Sequence, residues 1–236
     1  MFDPILQNLT PATLREGMVA DILSDRTSKI ISEYESAMRE HRRKMISEYP
    51  YHSIKRIHVE NAKLLPTRYD MLDEMPKNAI VCEIGVAEGD FSEQILRRCT
   101  PQKLHLVDAW ESSRYSAGYN RVLERFSDQL ACGVVRIHQA YSTQALAEFV
   151  DKYFDWIYLD SVHDYRTTAE ELSLCSQKIK SCGIIAGHDY TPGNVISPVC
   201  YGVIHAVHEF CVTRNWQFIY LTNEIHGYWS FALQKF

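Results

Sequence analysis

Residues 78–89, NAIVCEIGVAEG, constrain the fold more than any other part of the chain. Residues 79–82 are apolar or small and partly β-branched, with Pro76 and Asn78 before them, which is the pattern of a short buried strand. Glu83, Gly85 and Gly89 follow in the order acidic-x-Gly-x-x-x-Gly, and an amphipathic helix through Phe91, Ile95 and Leu96 begins directly after. The glycines let a ligand approach bare backbone, and the helix start offers free N–H groups. Glu83 falls at the C-terminal edge of the strand, where open α/β sheets bind their ligands.

Several readings of this stretch compete. A dinucleotide fingerprint requires Gly-x-Gly-x-x-Gly, but Ala87 stands where the second glycine would admit a pyrophosphate. The carboxylate of Glu83 would repel phosphate and attract an amine. A tight turn with no ligand also fits the glycines taken alone. The next segment narrows the choice. Residues 103–107, KLHLV, form a second apolar strand ending in Asp108, placed where an acid can grip a ribose diol. Glu83, Gly85, Gly89 and Asp108 together resemble the class I S-adenosylmethionine (SAM) methyltransferases. That resemblance implies that the glycine turn holds the methionine part of SAM and that Asp108 holds the ribose hydroxyls.

Composition bounds the rest. At 236 residues, 46% hydrophobic and 23% charged, the chain can bury a sizeable core, with room for one domain and an appendage. A net charge of −5 argues against a general nucleic-acid or anionic-membrane binder. No apolar run reaches the length of a bilayer span, and the N-terminal residues lack a basic-then-apolar leader pattern. The seven cysteines include no C-x-x-C pair, and an odd number at apolar positions fits a reducing compartment. A cytoplasmic protein with no membrane association is expected.

Residues 1 to about 50 read as helix, with Leu14, Met18 and Ile22 on one face and then Ile30, Tyr34 and Met38. A basic run, Arg39 to Lys44, reads as a solvated helix face or an anion contact. A short helix is expected at 66–75. Residues 1–70 are assigned to an N-terminal helical extension, a lid or dimerisation element through which homo-oligomers could form, and 71–236 to the catalytic domain. From residue 78 onward, strands at 79–83, 103–107, 133–138, 154–159, 183–186, 217–221 and 227–233 alternate with helices at 90–98, 119–130, 143–150, 167–180 and 199–214. Such alternation predicts a Rossmann-like α/β fold: a seven-stranded, mostly parallel sheet with helices on both faces. The last two strands are too close in sequence for a parallel crossover, so one antiparallel strand is expected near the sheet edge.

Five strand ends should then meet at one mouth. Ala109 and Trp110 follow Asp108, and Trp110 could cover ribose or adenine, or pack on the next helix. The third strand leads into Tyr141 and Ser142, which by the family resemblance line the adenine, although Ser142 could equally cap the next helix. The fourth runs apolar into Asp160, followed by His163, and the fifth ends in His188 and Asp189. Asp at one strand end beside His-Asp at its neighbour is the composition of a divalent-cation site, or of a hydrogen-bonded His–Asp pair without an ion.

The segments LDSVHDY and GIIAGHDY resemble the metal-dependent O-methyltransferases, in particular the macrocin and cephalosporin-tailoring branch, and more distantly the catechol and caffeoyl-CoA type. This resemblance implies a divalent cation such as magnesium held by Asp160, His188 and Asp189, with His188 a nitrogen donor where the family offers oxygen. It also puts His163 at the offset of the catechol-type general base. Methyl transfer from a sulfonium needs a deprotonated nucleophile, which a cation and a neighbouring imidazole can supply together.

The expectation is therefore a SAM-dependent O-methyltransferase acting on a hydroxyl of a small molecule, such as a sugar or natural-product scaffold. Its catalytic residues are His163 and Asp160. Its cofactor residues are Glu83, Gly85, Gly89, Asp108, Ala109, Trp110, Tyr141, Ser142 and Asp160. The alternatives are a metal-free methyltransferase with an N-acceptor, a NAD-dependent oxidoreductase, and a catalytically silent SAM-fold module. Tyr115, Tyr119 and Tyr190 in the flanking loops could stack on an acceptor ring.

Overall fold

A computed structural model of the protein describes residues 25–112, 115–194 and 199–236. The expected helix through Leu14, Met18 and Ile22 lies outside these residues, as do small parts of the two loops expected to wall the acceptor. Contacts divide the chain into two units, Met1–Glu48 and Tyr49–Phe236. Within the first, α1 (Asp25–Ser47) spans 23 residues and carries the basic run on an exposed, solvated surface.

The second unit is built on one sheet of eight strands. In chain order its elements are β1 (Lys63–Leu65), α2 (Arg68–Glu74), β2 (Ile80–Ile84), α3 (Asp90–Cys99), β3 (Lys103–Asp108), α4 (Ser116–Arg125), α5 (Ser127–Ala131), β4 (Val135–Gln139), α6 (Ser142–Glu148), β5 (Phe154–Leu159), α7 (Tyr165–Lys178), β6 (Ile179–Gly187), α8 (Val203–Arg214), β7 (Trp216–Thr222) and β8 (Phe231–Lys235). The spatial order is β1-β7-β8-β6-β5-β2-β3-β4. Pairing is parallel except around β8, which runs against both β6 and β7.

The mostly parallel architecture follows the expectation, with two corrections. The sheet has eight strands, because β1 adds alongside β7, pairing Lys63 with Tyr220 and Leu65 with Thr222. A three-residue strand is too short to show an alternating pattern, so from sequence the segment reads as a connector. It also brings residues 63–65, assigned from sequence to the N-terminal extension, into the sheet. The one antiparallel strand expected near the edge is β8, third from it, with β7 and β1 beyond. The single helix expected at 119–130 is two helices that meet at the buried Phe126.

The parallel strands are buried on both faces, so each sends alternate residues into two cores. One core packs Cys82, Ile84, Ile157 and Ile185 against Leu146, Leu172, Val207 and Phe210 of α6, α7 and α8. The other packs Val81, Leu104, Trp156 and Tyr158 against Leu72, Ile95 and Val122 of α2, α3 and α4. The sheet order reverses between β2 and β5, which lie side by side while their connections lead to opposite edges. A crevice forms outside the carboxyl ends of strands at such a point.

Candidate functional site

The turn after β2 is closed by the Gly89 N–H, which donates to Val86 O at 2.9 Å, and is held from outside by its neighbours. Val86 and Ala87 donate their N–H groups to Asp108 Oδ2, both at 2.9 Å, and Trp110 donates its N–H to Oδ1 at 2.8 Å. The carboxylate that ends β3 is thus the strut of the glycine turn, with three acceptor positions of about four already used. Trp110 is buried and its indole N–H donates to Ala87 O at 2.8 Å, so it braces the same turn from the side. Ala87 and Trp110 both adopt positive φ, 51° and 49°, a cost that local hydrogen bonding sustains.

Gly85 has φ +88°, and a Cβ there would lie 2.0 Å from Asp160 O. The turn can therefore lie against the end of β5 only because residue 85 has no side chain. Gly89 differs. It caps α3 with φ 83°, and a Cβ would strike the Phe126 ring at 2.8 Å. It does not line the crevice and packs beneath the turn against Phe126 and Val122.

A crevice of about 740 Å³ opens above these elements. Of the sequence-derived residues, Glu83, Gly85, Asp108, Ala109, Trp110, Tyr141, Ser142, Asp160 and His163 all line it. Glu83 is buried at the base, where Ser92 Oγ donates to it at 2.5 Å. Desolvation pushes its carboxyl up to about 8, against the opposing hydrogen bond from Ser92. Tyr141 stands at the exposed mouth and donates to the Glu111 carboxylate. Ser142 is not the cap of α6, a position held by Tyr141. Its side chain bonds instead to the buried Glu171 of α7, which also accepts from Ser161 Oγ at 2.5 Å. Glu171 thereby ties the loops after β4 and β5 together beneath the crevice.

The acidic strand ends meet on one side. His163 Nε2 lies 3.0 Å from Asp189 Oδ2, and His188 Nδ1 lies 3.5 Å from that oxygen and 3.8 Å from Asp160 Oδ1. Burial pushes the Asp160 carboxyl up, with the neighbouring histidines and Arg68 opposing. Burial would raise Asp189 too, but the hydrogen bond from His188 and the facing charges of His163, His188 and Arg68 hold it below the usual range. Asp189 adopts φ 54°, a third strained residue at this edge.

The donor set differs from the expected one. The residues whose ligand atoms all come within 4.8 Å of one another are Asp160, His163 and Asp189; among the described residues this is the one group of the kind, and His188 is outside it. His188 lies beneath, lining a small void with Thr168 and Glu171, and its Nε2 is buried without a partner.

Sequence reasoning missed Arg68, the first residue of α2. Its Nη1 lies 3.6 Å from Asp160 Oδ2, and its guanidinium sits 4.7 Å from the centroid of the Phe91 ring. It stands in a segment that carries no motif, and only the approach of α2 to the strand ends brings it into the crevice.

Residues 82–190 match the family model described as a methyltransferase domain. No curated protein matches the sequence. Among solved structures the fold is similar to that of an rRNA methylase from Streptococcus thermophilus, with 16% identity, a TM-score of 0.52 and coverage of 71% of this chain and 93% of that one. It is also similar to the N-methyltransferase NodS from Bradyrhizobium japonicum, with 11% identity, a TM-score of 0.54 and coverage of 71% and 94%. A third likeness is to a Streptococcus mutans protein assigned as a methyltransferase and solved in complex with SAH, with 16% identity, a TM-score of 0.51 and coverage of 72% and 96%. At these identities the likeness is one of fold.

Proposed function

We propose that this chain is a SAM-dependent methyltransferase that methylates a hydroxyl of a small molecule, a reading supported by the methyltransferase-domain match over residues 82–190. The observation that carries the reading is the gathering of Glu83, Asp108, Asp160 and His163 around one crevice. Each has work to do there. The Glu83 carboxylate, once ionised, takes the ammonium of the methionine part. Bare backbone at Gly85 admits the chain that follows. Asp108 fixes the turn through Val86, Ala87 and Trp110 and retains an acceptor position for a ribose hydroxyl. Tyr141 and Ser142 flank the adenine end.

On the acceptor side, His163 is the base. Asp189 holds its Nε2, in the way a buried carboxylate fixes the orientation of a catalytic imidazole, and leaves Nδ1 to receive the hydroxyl proton. A divalent cation also fits the donor set of two carboxylates and one imidazole; Asp160, His163 and Asp189 would then be its ligands, and His163 would hold the ion instead of taking the proton. When bound, such an ion would supply Lewis-acid polarisation of the acceptor hydroxyl. The contacts also favour a second reading. Arg68 beside Asp160 offsets one acid and His163 lies within hydrogen-bond reach of the other, so the His163–Asp189 pair can work as a metal-free base.

The deciding experiment measures methyl transfer to a panel of hydroxylated sugars and phenols, before and after chelation with EDTA. Metal assistance predicts a loss of turnover restored by Mg²⁺ or Mn²⁺, with SAH affinity unchanged; full retention selects the metal-free pair. In either case His163→Ala should lower kcat by roughly 10²- to 10⁴-fold at unchanged SAH affinity. Undiminished turnover in that variant would remove His163 from the chemistry.

A further inference from the structure

The crevice is lined by many acids: Glu83, Glu88, Asp90, Asp108, Glu111 and Asp160. Glu88 and Asp90 are paired with Arg121 and Arg125 on α4. Among the described residues that line it, Arg68 is the one permanently charged cation. The methyl donor, however, carries an α-carboxylate as well as an ammonium and a sulfonium. A carboxylate taken out of water without a partner is strongly disfavoured, so a site that accepts the donor must offer it a donor group or a cation.

We propose that Arg68 is the residue that recognises the α-carboxylate of the nucleoside donor, and that it makes the crevice select donors bearing an intact amino acid. This inference rests on the SAM reading above. Its position is right for the task. Arg68 and Glu83 both line the crevice, and the Arg68 charge favours the ionised Glu83 carboxyl, so the two can meet the carboxylate and the ammonium of an amino-acid zwitterion. Its guanidinium is packed over Phe91, from the first turn of α3, with the Tyr69 ring 5.7 Å away, which leaves the planar N–H fork held in place. The contact to Asp160 is long, 3.6 Å, so it does not consume that fork in a bidentate pair.

The backbone beneath is anchored twice. Thr67 caps α2 and exchanges hydrogen bonds with Asp70, and the Arg68 N–H donates to Glu224 Oε1 at 2.6 Å. Glu224 is itself buried and accepts from Thr222 at the end of β7. An arginine fixed at its Cα and stacked along its fork loses little freedom on binding, which favours recognition over mere charge balance.

The test is calorimetric titration of the full chain with SAH and with decarboxylated SAH, which keeps the adenosine, the thioether and the amine. The wild type should bind SAH roughly ten- to hundredfold more tightly than the decarboxylated compound, the range of a hydrogen-bonded charge pair. Arg68→Gln should lose that preference by weakening SAH alone, and Arg68→Lys should keep part of it. Equal weakening of both compounds in the glutamine variant would make Arg68 structural and overturn the proposal. The wild-type comparison stands if the variants fail to fold, since binding of SAH without discrimination overturns it equally. Binding of neither compound by the wild type would instead overturn the SAM reading itself.

Discussion

Glu83 is buried at the foot of the crevice with a carboxyl pushed up to about 8 from an ordinary 4.5. Between those values the folded, ligand-free protein holds a proton that the unfolded chain has released. Its stability therefore declines as pH rises through this window and levels off above pH ~8. Glu83→Gln removes the decline, so its melting temperature relative to the wild type should climb from pH ~5 to pH ~8 while SAH binding is lost. Melting curves for the two proteins that stay parallel across this range would refute the assignment. The same residue shows what a single chain can reveal by eye. Glu83, Asp108, Asp160 and His163 were legible because each ends or follows an apolar strand, where chemistry collects in this kind of sheet. Two roles were not legible. Asp108 braces the turn with three hydrogen bonds, and His188 lines a small void and keeps its Nε2 buried without a partner. Both depend on side-chain direction, which strand position does not specify.

At the level of elements, the β2–α3 turn is the most demanding piece. Gly85→Ala would combine positive φ with a Cβ 2.0 Å from a carbonyl oxygen of β5's end. The turn has no flexible neighbour to yield, so the substitution should cost at least ~2 kcal/mol in denaturant titrations and abolish SAH binding. A Gly85→Ala variant that stayed stable and bound ligand would show that the two loops part easily. Long elements with clear periodicity were readable, as α7 shows with Thr168, Leu172 and Cys175 all buried on one side. Elements defined by partners were not. The three residues of β1 become a strand only through β7, and the helix break falls at Phe126, whose buried ring packs against Gly89.

For the whole molecule, the contact division at Glu48 and Tyr49 gives a sharp expectation for truncations. A fragment of residues 49–236 should unfold cooperatively and bind SAH. A fragment of residues 71–236, the boundary the sequence suggested, lacks β1, the Thr67 cap and Arg68 and should bind it at least roughly tenfold more weakly. Comparable affinities would show that the segment before residue 71 is dispensable. The fragments would also reveal whether α1 carries an oligomer contact, since its loss would change the mass in solution.

Gly85 rests on the main chain of Asp160 with no side chain between them. On the function proposed above, that contact would join the donor's seat to the acceptor's, since the glycine turn lies directly against the residue that heads the other half. The two guests should not arrive at random. Filling the first seat is expected to shape the second, so that turnover proceeds in a fixed order, and product-inhibition patterns would read that order directly.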